Sequence, residues 1–295
     1  MKFYDMNMRG ANYNHDLSMI KEASRFGWDY INLNYSLDGF KESLKYKDEL
    51  IEEASSLDRP VEIDMGINLR NSNSGEMQKA AKKYRNKTNM ISCLGGDLKL
   101  NRSCLESYKL DVLSRPYFKR RDSGMNHVLA KEAVKHNVAV ELCFRDILHN
   151  HLKYRANVIA SFKEILMFHR KFNFPLILTT DSKSLYDIRS TRDMVAFFKS
   201  IGFTNQEIIN GFYHYPKQII DFNRERENMV VQGVKVIKGA TDFSDVRRGA
   251  DENIDESLFE DEEIFIEDDD EFLQDDVSFG DDGSFENDLN GEDEL

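Results

Sequence analysis

The chain has 295 residues, with 40 Lys and Arg against 53 Asp and Glu, a formal net charge of −13, and three cysteines. Cys93, Cys104 and Cys143 form no CxxC pair, which excludes a disulfide framework and fits a reduced, cytoplasmic setting. The start MKFYDMNMRG has no apolar core of signal-peptide length, and no run approaches the ~20 apolar residues of a membrane span, so no membrane partner is expected.

Short apolar runs alternate with segments of helical period. KFYDMNM is the first run. In HDLSMIKEASRFG, Leu17, Ile20, Ala23 and Phe26 recur at helical steps, and Gly27 ends the segment. WDYINLNY reads as a strand. In GFKESLKYKDELIEEA, Phe40, Leu44, Ile51 and Ala54 share one helical face, with Asp38 as cap. PVEIDMGI sets Val61, Ile63, Met65 and Ile67 against Glu62, Asp64 and Gly66, the alternation of a strand. SGEMQKAAKKYRN then predicts a helix, MISCLGG a strand, LKLNRSCLES a short helix and YKLDVL a strand. A basic loop comes next, followed by a helix from about Gly124 and the strand VAVELCF. YRANVIASFKEILMFHRKF predicts a long helix with Val158, Phe162, Ile165 and Leu166 inward, and FPLILTT a strand. SLYDIRSTRDMVAFFKSIG, TNQEIINGF and YPKQIIDFNRERE carry further helices, and MVVQGVKVI predicts a closing strand.

Repeated strand-then-helix units favour a parallel sheet. Seven or eight of them in this length favour a TIM-like (β/α) barrel over an open sheet, and no GxGxxG follows the first strand. The barrel is expected over residues 1–237. Residues 238–295 hold 24 acids against three cations, a net of −21, which leaves the first 237 residues at +8, with 37 cations against 29 acids. Isolated Phe and Ile among so many like charges predict a disordered acidic tail, which could act as a mimic of nucleic acid that competes for the basic body.

In such a barrel the working groups follow the strands. Here these are Asn7, Arg9 and Gly10; Asn68 and Arg70; Arg115 and the basic loop; Arg145, Asp146 and His149; Asp181, Ser182 and Lys183. The set is rich in cations and amides and poor in clustered metal ligands. The HNH run at His149–Asn150–His151 offers two ligands at most and reads as solvent-facing loop. His127, Lys131 and Lys135 lie at i, i+4 and i+8 of one helix, directly after Lys119, Arg120 and Arg121, and so read as a phosphate-facing stripe. There is no GxSxG and no P-loop.

RDSGMNHVLAKEAVKHNVAVEL resembles the signature of the ribonuclease P protein component 3 family, subunits of archaeal and eukaryotic ribonuclease P. FYDMNMRG, YRANVIASFKEILMFHRKFNFPLILTTDS, LYDIRSTRDMVAFFKSIG and VVQGVKVI resemble further family segments in the same order. The resemblance covers most of 1–237. It implies a barrel related to the polymerase-and-histidinol-phosphatase metallohydrolases, acting as a protein cofactor of a catalytic RNA. Those enzymes carry DxHxH after strand one and a late SDAH-like motif. Here the positions hold Asp5, Asn7 and Arg9, and TDSK has Lys183 in place of the histidine.

The expectation is therefore a non-catalytic subunit of a tRNA 5′-processing holoenzyme, holding no metal and no cofactor of its own, with Mg²⁺ on the RNA. Expected partners are the ribonuclease P RNA, precursor tRNA and other protein subunits, component 2 above all. RNA contact is assigned to Lys119, Arg120, Arg121, Lys131, Lys135 and Arg155, then Arg9, Lys183, Arg189 and Arg192, with Tyr117 or Phe118 stacking on bases. The alternative is a metal-dependent phosphoesterase using Asp5, Asp64, Asp181 and some of the histidines.

Overall fold

Each apolar run supplies one strand, and each segment after it carries the apolar stripe that covers the sheet. The structure, a computed structural model, describes residues 2–70, 73–107 and 109–225, and the backbone of 229–231 and 234–235. Seven strands form one parallel sheet in chain order: β1 (Tyr4–Arg9), β2 (Tyr30–Tyr35), β3 (Glu62–Leu69), β4 (Met90–Leu94), β5 (Val112–Ser114), β6 (Ala139–Cys143) and β7 (Leu176–Thr179). The first half of the covering helices is α1 (Tyr13–Arg25), α2 (Leu37–Ser43), α3 (Lys47–Ser55), α4 (Ser74–Tyr84) and α5 (Leu98–Leu105). The second half is α6 (His127–His136), α7 (Arg145–His149), α8 (Leu152–Phe172), α9 (Thr191–Ser200), α10 (Asn205–Ile209) and α11 (Tyr215–Glu225). A π-helical turn, Asn210–His214, joins α10 to α11. The result is a nearly closed, TIM-like barrel.

Both faces of the strands are buried, as a parallel barrel requires. Ile31, Leu33, Ile63, Ile67, Val140 and Leu178 belong to the large apolar cluster beneath the helices. Residues of opposite parity form a smaller inner cluster of Tyr4, Met6, Tyr30, Met90, Val112, Ala139 and Ile177, joined by Ile219 and Ile220 of α11. Above that cluster the interior turns polar. Gly66 is required there: a Cβ would stand 2.5 Å from Asn34 Oδ1 and 2.6 Å from Asn32 Nδ2.

The barrel closes between β7 and β1 by a main-chain hydrogen bond and by the Asp5 side chain. Arg9 N donates to Ser182 O at 2.9 Å. The Thr180 N–H donates to both Asp5 carboxylate oxygens at 3.3 Å, and the Thr180 hydroxyl donates to the same group. The expected closing strand over MVVQGVKVI is corrected here. Met229–Val231 (β8) and Val234–Lys235 (β9) pair antiparallel with each other in a sheet of their own.

The expected helix over 39–54 is interrupted. A 3₁₀ turn, Leu44–Tyr46, separates α2 from α3, and Ser36, not Asp38, caps α2 by accepting from Gly39 N. A 3₁₀ turn advances about 20° more per residue than an α-helix, so three residues rotate the following face by roughly 60°. That rotation buries Leu50 with Phe40 and Ala54 and turns Ile51 and Leu44 outward. The helix after the basic loop also starts later than expected, at the Asn126 cap, whose side chain accepts from Leu129 N. Residues 238–295, expected to be a disordered tail, lie outside the described residues.

Candidate nucleic-acid interface

A bulge in β1 builds the mouth of the barrel. Tyr4 and Asp5 face Tyr30 and Ile31, but Met8 faces Leu33, so Met6 and Asn7 together oppose Asn32. The extra residue flips the parity: Tyr4 and Met6 join the inner cluster, while Met8 joins the outer one. Asn7 and Arg9 thereby face inward. Asn7 Nδ2 donates to Glu141 Oε1 at 2.8 Å, and Asn34 Nδ2 donates to Asn7 Oδ1 at 2.9 Å. The Thr179 hydroxyl donates to the same Glu141 oxygen at 2.6 Å, completing an amide–carboxyl chain across the interior. Burial pushes the Asp5 carboxyl up to about 7, and burial followed by the nearby Asp181 charge raises Glu141 as well.

Above that chain lies a guanidinium–carboxylate network. Arg9 grips Asp181 in a bidentate pair, 2.6 Å on each arm. Arg115 Nη1 stands 3.7 Å from the same carboxylate. Its Nε donates to Asp146 Oδ2 at 2.7 Å, and its Nη2 donates to Oδ1 of that group. The Tyr117 hydroxyl also donates to Asp146, at 2.9 Å, and accepts from Cys143 N at 3.2 Å. Burial opposes the Arg115 charge, but Asp146 outweighs it and raises the guanidinium pKa. Arg115 and Asp181 hold left-handed backbone, φ 53° and 50°. Such a conformation costs a non-glycine residue about 1 kcal/mol, and the network over-determines it here.

This mouth does not fit a metal ion. Asp181 is held by two guanidinium groups, and Lys183 follows it. Among the described residues no three His, Cys, Asp or Glu side chains converge on one point. The three carboxylates of the phosphoesterase alternative sit in separate settings. Asp5 closes the β7–β1 seam, Asp181 belongs to the mouth, and Asp64 binds Tyr30, Asn89 and Arg224 beside the inner apolar cluster. His149 ends α7 and is not loop: its Nε2 meets Asp187 Oδ1 at 2.6 Å.

The basic loop is folded tightly onto the rim. Asn101 Nδ2 donates to Pro116 O at 3.1 Å and to Gly124 O at 2.9 Å, tying both ends of the loop together. Gly124 has φ +67° and lies so close to Pro116 O, 2.1 Å from a built Cβ, that no other residue fits. Tyr117 is buried, which removes it as a stacking platform. Phe118 is half-buried, with the Arg115 guanidinium 4.5 Å from its ring centre. Arg120 is drawn onto Asp122 and donates to Gly96 O at 2.9 Å, so its charge is partly offset. Lys119 and Arg121 are exposed and make no ion pair among the described residues.

Two clefts open here. One, of about 570 Å³, lies between the loop, α7 and the start of α8; Lys119, Arg120, Arg121, Arg145 and Tyr154 border it. The other, of about 420 Å³, lies at the mouth over Arg9, Arg70 and Lys183. The remaining expected contacts line neither. Lys131 and Lys135 project from α6 with His127, all three exposed. Arg155 Nε donates to Asn150 O at 2.9 Å, Arg189 Nη1 donates to Tyr186 O at 2.7 Å, and Arg192 is exposed on the first turn of α9.

Arg70 and Arg145 belong to these clefts although the sequence reading assigned them no contact. Their places directly after strands were the available signal. Partial burial, then the charges of Arg9, Arg115 and Arg145, lowers the Arg70 pKa, a mark of concentrated positive potential. Nothing in the sequence marks Tyr154 or Asn101.

The family described as RNase P subunit p30 matches residues 2–228. Ribonuclease P protein component 3 of Methanothermobacter thermautotrophicus is 38% identical over 237 residues, covering 80% of this chain and 96% of that protein. The protein of the same name from Methanocaldococcus jannaschii is 31% identical over 227 residues, covering 76% and 93%. A chain in the cryo-EM structure of archaeal Ribonuclease P with mature tRNA superimposes with a TM-score of 0.68 at 29% identity, covering 81% of this chain and 100% of that one.

Proposed function

The chain belongs to the RNase P subunit p30 family, and we propose on that basis that it works as a protein subunit of ribonuclease P, the holoenzyme that matures tRNA. The observation that carries this is the match of residues 2–228, together with relatives matched over nearly their whole length. The chain assists the RNA in removing 5′ leaders from precursor tRNA and does not perform the chemistry itself. Mg²⁺ held by the RNA supplies the metal, and this chain's cations offset phosphate repulsion around the folded RNA. The mouth supports that reading: its carboxylates are held by arginines, leaving Lys183, Arg70 and the rim loop for phosphate.

Its partners are the RNA and other protein subunits, with component 2 as the nearest protein neighbour in our reading. No helix among the described residues is long and apolar enough to cross a membrane. The cytoplasm is the compartment we assign, on the three buried, unpaired thiols. The test is to purify the chain from its native extract at moderate salt, sequence the RNA carried with it and assay the eluate on precursor tRNA. One strongly enriched structured RNA together with leader cleavage is the expected result. Its absence would return the chain to a search for another partner.

A further inference from the structure

From the geometry we infer that the cleft between the basic loop, α7 and the start of α8 is a pocket for one unpaired nucleotide of RNA, with Tyr154 as its stacking platform. The inference rests on the subunit reading above and adds to it a ligand class and residues that reading does not assign.

The cleft has the three parts such a ligand needs. Its volume, about 570 Å³, falls within the ordinary size of a small-ligand site. Lys119 and Arg121 border it and supply phosphate contacts, joined by Arg145, whose Nε stands 3.5 Å from Asp187 Oδ2. Tyr154 supplies the aromatic face. Tyr117 is buried and hydrogen-bonded, and the face of Phe118 is taken by Arg115. Tyr154, by contrast, is 72% exposed. A tyrosine on a charged rim, with most of its surface open to solvent, is placed to receive a flat base. The third part is an amide edge. Asn150 Nδ2 is spent on Asp146 O at 2.7 Å, leaving its Oδ1 as acceptor, and the Asn157 side chain forms no hydrogen bond among the described residues. Acceptor and donor groups beside an aromatic face match the edge of an unstacked base.

The frame around the cleft is stiff. Lys119 on its border and Leu152 at the start of α8 both hold left-handed backbone, φ 57° and 43°. Asp146 fixes one wall through Arg115 and Tyr117. α8 begins at the cleft with no side-chain cap, so its positive end adds to anion attraction. A paired duplex offers this cleft phosphates only, because its bases are stacked and unavailable; a splayed nucleotide uses all three parts.

The test titrates the complete chain by fluorescence anisotropy with a labelled oligouridylate and with a blunt RNA duplex, at several salt concentrations. Tyr154→Ala is expected to weaken single-strand binding roughly 5- to 100-fold, the range for losing one stacked base. Duplex affinity, the salt slope and the melting temperature stay at wild-type values, and Tyr154→Phe binds as wild type. Single-strand binding by Tyr154→Ala equal to wild type overturns the proposal, as does an equal loss on both RNAs. Competition by micromolar uridine monophosphate would overturn the RNA assignment in favour of a free nucleotide. Loss of assembly with a protein subunit while RNA binding is intact would make the cleft a protein contact and also overturn it. A wild-type chain that binds neither RNA overturns the pocket, whereas the subunit reading falls only if the chain carries no structured RNA from its native extract, which separates the two failures.

Discussion

At the scale of single residues, the mouth of this barrel depends on charges that neutralise one another. Arg115 and Asp146 are both buried, and each satisfies the other. Asp146→Asn leaves the guanidinium without its carboxylate and removes the ionised acceptor for Tyr117. The expected loss is about 3–5 kcal/mol, read from urea unfolding, as for other broken buried pairs. Asp5 gives a second residue-level prediction. Its carboxyl rises on folding from an unperturbed 3.8 to about 7, because burial disfavours the ionised form. Between those values the folded chain binds the extra proton, so this group's contribution to stability is fullest below about pH 4 and is lost as pH rises from there through 7. The fall is on the order of 4 kcal/mol. Unfolding measured from pH 4 to 7.5 should show it, and Asp5→Asn should flatten most of it. A residual slope of the same sign should persist from Glu141, which burial also raises.

At the scale of elements, one short turn decides which face of a helix is buried. A continuous helix over 39–54 would place Leu44 and Ile51 inward. The 3₁₀ turn at Leu44–Tyr46 rotates α3 so that Leu50 is buried and Ile51 is 37% exposed. Leu50→Ala should therefore cost about 2–5 kcal/mol, and Ile51→Ala less than about 1 kcal/mol, in parallel denaturation curves. A larger loss from Ile51→Ala than from Leu50→Ala would mean that α2 and α3 form one unbroken helix. The bulge in β1 has the same character. A single extra residue sets Asn7 and Arg9 facing inward, and with them the chain of contacts to Glu141 and Asp181.

At the scale of the whole molecule, charge is distributed by segment. The first 237 residues carry +8 within a chain of −13. The structure divides the expected RNA-contacting cations into two kinds. Arg9 and Arg120 are engaged with carboxylates, while Lys119, Arg121, Lys131, Lys135, Arg155, Lys183, Arg189 and Arg192 make no ion pair among the described residues. Reversing Lys119 and Arg121 to Glu should lower affinity for the cognate RNA at least tenfold at moderate salt. It should also reduce the slope of log affinity against log salt by about two, one unit per lost phosphate contact. Arg9→Gln should leave that slope nearly unchanged and lower the melting temperature, because its charge is already matched by Asp181. An unaltered slope in the Lys119, Arg121 reversal would remove the loop from the interface.

The strand–helix alternation, the parallel barrel and the basic rim were legible in the linear order of residues, because the periods of burial and runs of charge are local properties. The positions after the strands were legible too, which is why Arg9, Arg70, Arg115, Arg145 and Asp181 stood out before any contact was known. What the chain order does not carry is pairing across distance. That Arg9 takes Asp181, that Asp146 draws in both Arg115 and Tyr117, and that Asn101 ties off the loop depend on residues from 15 to 172 positions apart. The rotation of α3 and the bulge in β1 arise the same way: one residue added or one turn tightened re-aims every side chain after it, and only packing against the rest of the fold selects it.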